Sequence, residues 1–445
     1  MKIDMLTILA FTMVITFMVL IMTKRMSALI ALIVVPIVFA LIGGFGKSLG
    51  PMMLDGIKTL APTGVMLMFA ILYFGVMIDA GLFDPVVNKI VKLVDGDPLK
   101  IVVGTAVLAL FVSLDGDGST TYIITTAAML PLYKRLRMSN LVMACVIMLA
   151  SGVMNILPWG GPTARAASAL KVDVSEIFRP MIPAMIASAA WVIVVAYIFG
   201  LKERKRLGVL GADALSDIHG TTADEDEKEV VESGIRRPRL LIVNLLLTTA
   251  LMVALLLGVL PLPVLFMVAF AIAMLINYPR LQHQKDRITA HAGNVLGVVS
   301  LIFAAGVFTG ILSGTKMVEA MAKSVIAIIP DALGPYLAPI TGVLSIPFTF
   351  FISNDAFYYG VLPILAEAGA RFGISAAQMG RASLIGQPVH LLSPLVASTY
   401  LLVGLVKVEL GDHQRFTLKW TLITSLVMLA VGLATTVIPL IGHAP

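Results

Sequence analysis

A single cysteine, Cys145, stands inside an apolar run, so the chain has no intramolecular disulfide framework and no cysteine-rich metal site. Charge is scarce as well. Asp, Glu, Lys and Arg make up 13% of the 445 residues against 59% hydrophobic residues, and the mean hydropathy is +0.98. That balance excludes a soluble globular domain. The chain also lacks a Walker-A loop and an HExxH motif, which argues against an ATP-driven pump and a zinc protease. A net charge of +6 would point to nucleic acid in a soluble protein, but here the placement of the basic residues matters more than their sum, and no nucleic-acid partner is expected.

What is present is membrane-spanning sequence. Met5 to Thr23, Ala28 to Phe45, Val65 to Leu82, Met181 to Gly200 and Leu240 to Leu260 each approach or exceed the roughly 20 residues that carry a helix across hydrocarbon. Many of these runs are rich in Met, Leu and Ala and do not alternate, as helices do and barrel strands do not. The first run is preceded by MKID and followed by TKR, so it is expected to be an uncleaved span and not a signal peptide. One stretch reads as soluble: Lys202 to Arg239, basic at both ends and acidic in the middle.

That stretch divides two halves that resemble each other. LMFAILYF (Leu67 to Phe74) matches LIFAAGVF (Leu301 to Phe308) at an offset of 234, and at nearly the same offset SLDGDG falls on ISND and PWGGPT on SPLVAS. Each half carries two interruptions, DGDG (Asp115 to Gly118) and NILPWGGPT (Asn155 to Thr163) in the first, SND (Ser353 to Asp355) and GQPVHLLSP (Gly386 to Pro394) in the second. Glycine and proline break the helical ladder, and backbone without its own hydrogen bonds is unstable against lipid, so the breaks belong inside the protein, facing a cavity. The arms flanking DGDG and SND are too short to span and suit re-entrant hairpins.

With the N-terminus outside, 22 of the 32 Lys and Arg fall on the inner face and 8 on the outer, while Arg165 and Arg381 fall inside broken helices. The expected fold is an all-α integral membrane protein of two inverted repeats, each of about five transmembrane helices plus one re-entrant hairpin, with broken helices at the midplane. The expected parts are scaffold helices over 1–82 and 240–314, transport-unit hairpins and broken helices over 83–201 and 315–445, and a cytoplasmic linker over 202–239.

SLDGDGSTTYIITTAAMLPLYKRLRM, VMNILPWGGPTARAA and FISNDAFYYGVLPIL resemble the signature segments of the citrate-metal:proton symporters, the CitMHS family of the ion transporter superfamily, and the resemblance runs over essentially the whole chain. It implies proton-coupled uptake of citrate, or a related tricarboxylate, as a complex with a divalent metal such as magnesium or calcium, across a bacterial inner membrane. It further implies an elevator architecture in a lipid-embedded homodimer, with no cofactor beyond the transported metal. Sodium-coupled dicarboxylate relatives in the superfamily carry Ser-Asn-Thr at both hairpin tips; here the tips are DGDGST and SND, so those sodium sites do not carry over. A sodium- or proton-coupled carrier of the free acid, an intramembrane metal-dependent enzyme and a channel are the competing readings.

An ionised Asp at the bilayer centre costs about 2.5–3.5 kcal/mol even on the lenient insertion scale, so Asp115, Asp117 and Asp355 are expected either to face the metal, to carry the proton or to cap a hairpin arm. His390 joins them as a metal or proton group, or as a structural histidine. Substrate carboxylates need donors. Candidates are the hydroxyls of Ser119, Thr120, Thr121, Thr163, Ser353 and Ser393, the amides of Asn155, Asn354 and Gln387, close backbone approach at Gly160 and Gly161, and a guanidinium clamp at Arg165. Each hydroxyl has helix back-bonding or capping as its alternative, and Arg165 an ion pair to a neighbouring helix. Arg381 is placed near the outer interface and Trp159 as a packing residue beside the cavity.

Overall fold

The computed structural model describes residues 5–23, 25–94, 96–116, 118–208, 235–327, 330 and 332–442; Asp117 and most of the 202–239 linker lie outside them. Every regular element within them is helical. The first half runs α1 (Met5–Met22), α2 (Ala28–Ile42), α3 (Leu49–Asp79), α4 (Asp84–Val94), α5 (Pro98–Val112), α6 (Gly118–Arg135), α7 (Asn140–Met154), α8 (Gly161–Leu170) and α9 (Val174–Leu207). The second half repeats that order as α10 (Leu241–Leu257), α11 (Leu262–Asn277), α12 (Leu281–Gly314), α13 (Met317–Ile326), α14 (Leu337–Phe351), a π-helical turn (Ala356–Val361) leading into α15 (Leu362–Ala370), α16 (Ala376–Ser383), α17 (Gln387–His390), α18 (Ala397–Val406) and α19 (Leu410–Ala434).

The repeat is legible in the caps. Helices α8 and α18 both end on a lysine in the left-handed conformation, Lys171 and Lys407, each with φ of 55° and 236 positions apart. At the same spacing Asn140, Gly161 and Val174 begin their helices where Ala376, Ala397 and Leu410 begin theirs. The structural register thus sets Pro158 on Pro394, one residue from the PWGGPT-on-SPLVAS match. An odd number of crossings in the first half makes the second enter from the opposite face.

Among the described residues seven helices are long and apolar enough to cross a membrane, and four shorter apolar ones accompany them. Pro98–Asp115 and Gly334–Phe351 meet that test by length, yet both are hairpin arms. Asp97 caps the first by accepting from the Leu99 N–H at 3.0 Å, with Pro98 at the first helical position. The chain then reverses at Gly116, φ +80°, where a Cβ would run into the Trp159 indole, and α6 returns along α5. In the second hairpin the Ser353 hydroxyl accepts from the Ala356 N–H at 3.1 Å and opens the π-helical turn.

Helix α3 packs along α12, with α2 against α12 and α11 against α3; α5, α7 and α19 pack around α9. Close approach of α3 and α12 depends on small residues. A Cβ at Gly56 would overlap the Gly306 carbonyl, and one at Gly310 the Met52 carbonyl. No flexible side chain is there to yield. Gly56→Val should therefore destabilise the protein by about 3 kcal/mol, read as an early unfolding transition in detergent.

Candidate functional site

Both hairpin tips and both helix breaks converge. The Asn155 amide, at the end of α7, donates to Gln387 Oε1 at 3.1 Å; the Asn354 amide, in the second tip, reaches the same oxygen at 3.4 Å. Gln387 in turn donates to the Tyr358 hydroxyl at 2.9 Å and to Asn354 Oδ1 at 3.3 Å. This network fixes a break of the first repeat to the tip and break of the second, and leaves these buried amides paired. At the first tip, Trp159 donates its indole N–H to the Leu114 carbonyl at 2.9 Å, while its ring lies 5.3 Å from that of Phe74 and 5.1 Å from that of Phe266. Trp159 is thus a packing residue with a second task, holding the tip carbonyl.

An ion pair joins a helix break of the first repeat to the hairpin tip of the second. Arg165, on α8, places Nε 2.6 Å from Oδ1 of Asp355, and the two side chains are 22% and 18% exposed. Beside it, His390 Nδ1 lies 2.6 Å from the Thr349 carbonyl.

These groups border a cavity of about 940 Å³. Ten of the residues expected from sequence line it: Asp115, Ser119 and Thr120 at the first tip, Asn155, Gly161 and Arg165 at the first break, Ser353, Asn354 and Asp355 at the second tip, and His390. Five others stand outside its lining. Thr121 bonds Ser113 at 3.0 Å, Thr163 donates to the Ile156 carbonyl at 2.7 Å, and Ser393 donates to the Phe350 carbonyl at 2.6 Å. Gln387 holds its partners from behind, and Gly160 abuts the Asn155 carbonyl so closely that no side chain fits. Asp117 lies outside the described residues. Arg381 is remote, donating to the Glu176 and Val437 carbonyls at 3.2 and 2.7 Å.

Such a constellation, a cavity with polar groups supplied by paired helix breaks inside an inverted repeat, has the form of a carrier's binding site. The chain matches the family model described as "Citrate transporter" over residues 17–386. It belongs to the citrate transporter family. Among curated relatives it is 64% identical to a citrate transporter of Bacillus subtilis (strain 168), over 96% of this chain and 98% of that one. It is 54% identical to that organism's Mg(2+)/citrate complex secondary transporter, again over 96% and 98%. Solved structures share the fold: the YdaH transporter of Alcanivorax borkumensis, with a TM-score of 0.55, 13% identity and 87% and 88% coverage, and MtrF of Neisseria gonorrhoeae, with 0.57, 14%, 88% and 84%. The chain is therefore an integral membrane transporter and not an enzyme.

Part of this citrate transporter family member's cavity wall escapes a motif-based reading. Ser151 and Ser398 flank Gly118, where a Cβ would stand 3.6 and 3.7 Å from their hydroxyl oxygens. Across the cavity, α12 contributes His291 and Asn294. His291 bonds Asp79 Oδ2 at 2.8 Å, Arg287 reaches the same oxygen at 3.2 Å, and the imidazole rests on Gly75. The spacing His291, Asn294 and Val298 on one helical face was the available signal.

Proposed function

We propose that the protein imports citrate, or a closely related tricarboxylate, as its complex with a divalent metal such as magnesium or calcium, coupled to proton entry, across a bacterial inner membrane. The Arg165–Asp355 pair carries this reading. A metal–citrate complex presents a carboxylate and a cation together, and can divide the pair, carboxylate to Arg165 and metal to Asp355. Free citrate can satisfy only the arginine and leaves Asp355 facing its negative charge. The name of the Mg(2+)/citrate relative supports the same cargo, with the metal as substrate and not as a resident cofactor.

Around the pair we assign Ser119, Thr120, Asn155, Gly161, Ser353 and Asn354 to the carboxylates and hydroxyl of citrate. Thr121, Gly160, Thr163, Gln387 and Ser393 hold the tips and breaks in shape. Asp115, Asp117 and Asp355 are the candidates for the coupling proton, because an ionised carboxylate at membrane depth is costly. The transport unit comprises 83–201 and 315–445, the scaffold 1–82 and 240–314, and the unit moves as one body. Helix α10, whose apolar surface is largely exposed, leaves a face for lipid or for the second copy of a homodimer.

The test is uptake of radiolabelled citrate into proteoliposomes, scanned over divalent metals and imposed pH gradients. Accumulation should need both a metal and an inward proton gradient, and should collapse with an uncoupler. Metal-independent accumulation would reject the complex as cargo; accumulation indifferent to the gradient would reject proton coupling.

A further inference from the structure

The cavity's polar lining is built mainly of oxygen and amide groups, with one imidazole on the transport-unit side. His390 closes the short helix α17, and its Nδ1 sits 2.6 Å from the Thr349 backbone carbonyl. A carbonyl oxygen only accepts, so Nδ1 carries the proton and the neutral ring keeps its lone pair on Nε2. That is the arrangement of a metal-binding histidine: one nitrogen anchored on a backbone carbonyl, which fixes tautomer and ring orientation, and the other available to the ion. The residue is only 7% exposed yet borders the cavity together with Asn354 and Asp355. No hydrogen bond from the described residues reaches Nε2.

We propose that His390 Nε2 is a direct ligand of the metal in the transported complex, and that this nitrogen sets the metal preference of the protein. The inference rests on the metal–citrate reading above and deepens it. Magnesium and calcium are hard ions that take oxygen ligands, whereas nickel, cobalt and zinc gain from an imidazole. Citrate supplies oxygens to either kind of ion, and Asp355 adds another. The nitrogen is what separates the two kinds, raising the affinity for the borderline ions relative to the hard ones.

Asn in place of His390 isolates that nitrogen. Its Nδ2 can keep the bond to the Thr349 carbonyl, while the shorter side chain offers no atom at the position of Nε2. Binding of radiolabelled citrate to purified protein is measured with magnesium and with nickel. His390→Asn should shift the nickel-to-magnesium affinity ratio toward magnesium by about tenfold or more, the scale of a lost contribution to a metal site. X-ray absorption at the nickel edge, on the natural protein loaded with nickel citrate, should show imidazole scattering, and this measurement stands even if the variant does not fold. An unchanged ratio, or an oxygen-only first shell around nickel, overturns the assignment. If the natural protein instead binds citrate as well in EDTA as with metal, the metal–citrate reading itself fails and takes this inference with it.

Discussion

Arg165→Ala should lower citrate uptake about 100-fold or more, because it removes the carboxylate clamp and leaves Asp355 without its partner at membrane depth. Breaking a buried pair from one side costs about 3–5 kcal/mol, and these side chains, 22% and 18% exposed, lie at or below the lower end of that range. About 2.7 kcal/mol already corresponds to two decades of affinity. Stability and recognition separate in the double variant: Arg165→Ala with Asp355→Ala removes both charges, so folding recovers while uptake does not. Arg165→Lys keeps the charge but loses the planar fork that matches a carboxylate, and should recover only part of the activity. Asp355→Asn gives the sharpest sign. It should weaken binding of the magnesium–citrate complex and strengthen binding of free citrate in EDTA, since Arg165 is then unpaired and the repelling carboxylate is gone. A fall in both affinities together would make the pair a structural strut.

That pairing shows where sequence reasoning stops. Arg165 and Asp355 were each visible as charges in interrupted helices, but they are 190 positions apart. Only the interlocking of two inverted repeats brings the first break against the second tip. Asn155, Asn354 and Gln387 were found for the same reason, being polar groups at helix breaks, and the sequence could not say that Gln387 would lie behind the others and hold them. Thr163 and Ser393 were attractive as donors, yet each bonds a carbonyl near a tip or break, Ile156 and Phe350, because a broken helix leaves carbonyls that need partners. The far wall was harder. His291 and Asn294 sit in a long helix that Gly293 and Gly297 do not interrupt, so no break marks them, and Gly56, Gly306 and Gly310 look like ordinary glycines until α3 and α12 are laid together. Composition, by contrast, made the membrane class legible at once, and the matched segments and paired interruptions the repeat, because lipid thickness and backbone hydrogen bonding leave few other ways to fold such a chain.

Locking the transport unit against the scaffold should abolish uptake while leaving substrate binding intact. The large cavity reaches Ile78 in the last turn of α3, next to Ala80, whose carbonyl accepts from the Arg237 N–H at the end of the linker. At the opposite end only a cleft of about 170 Å³ separates Ser313 of α12 from Ala366 of α15. In the proposed elevator the large cavity, beside the linker end, and the small cleft exchange access. The bonds that shape the site, Asn155 to Gln387 and Arg165 to Asp355, lie within the proposed transport unit and survive a rigid-body shift. What must slide is the contact of Trp159 on Phe74 and Phe266, past a wall where Gly293 and Gly297 face open space. Cysteines at Ser313 and Ala366, joined by a short reducible bifunctional reagent, would hold the small cleft shut; the native Cys145 is buried and stays out of the reaction. Linked protein should bind labelled citrate from the linker side but carry none across, and reduction should restore uptake. Full-rate uptake with the pair fully linked would mean that the two bodies do not move past each other at that cleft, and the elevator would have to be abandoned.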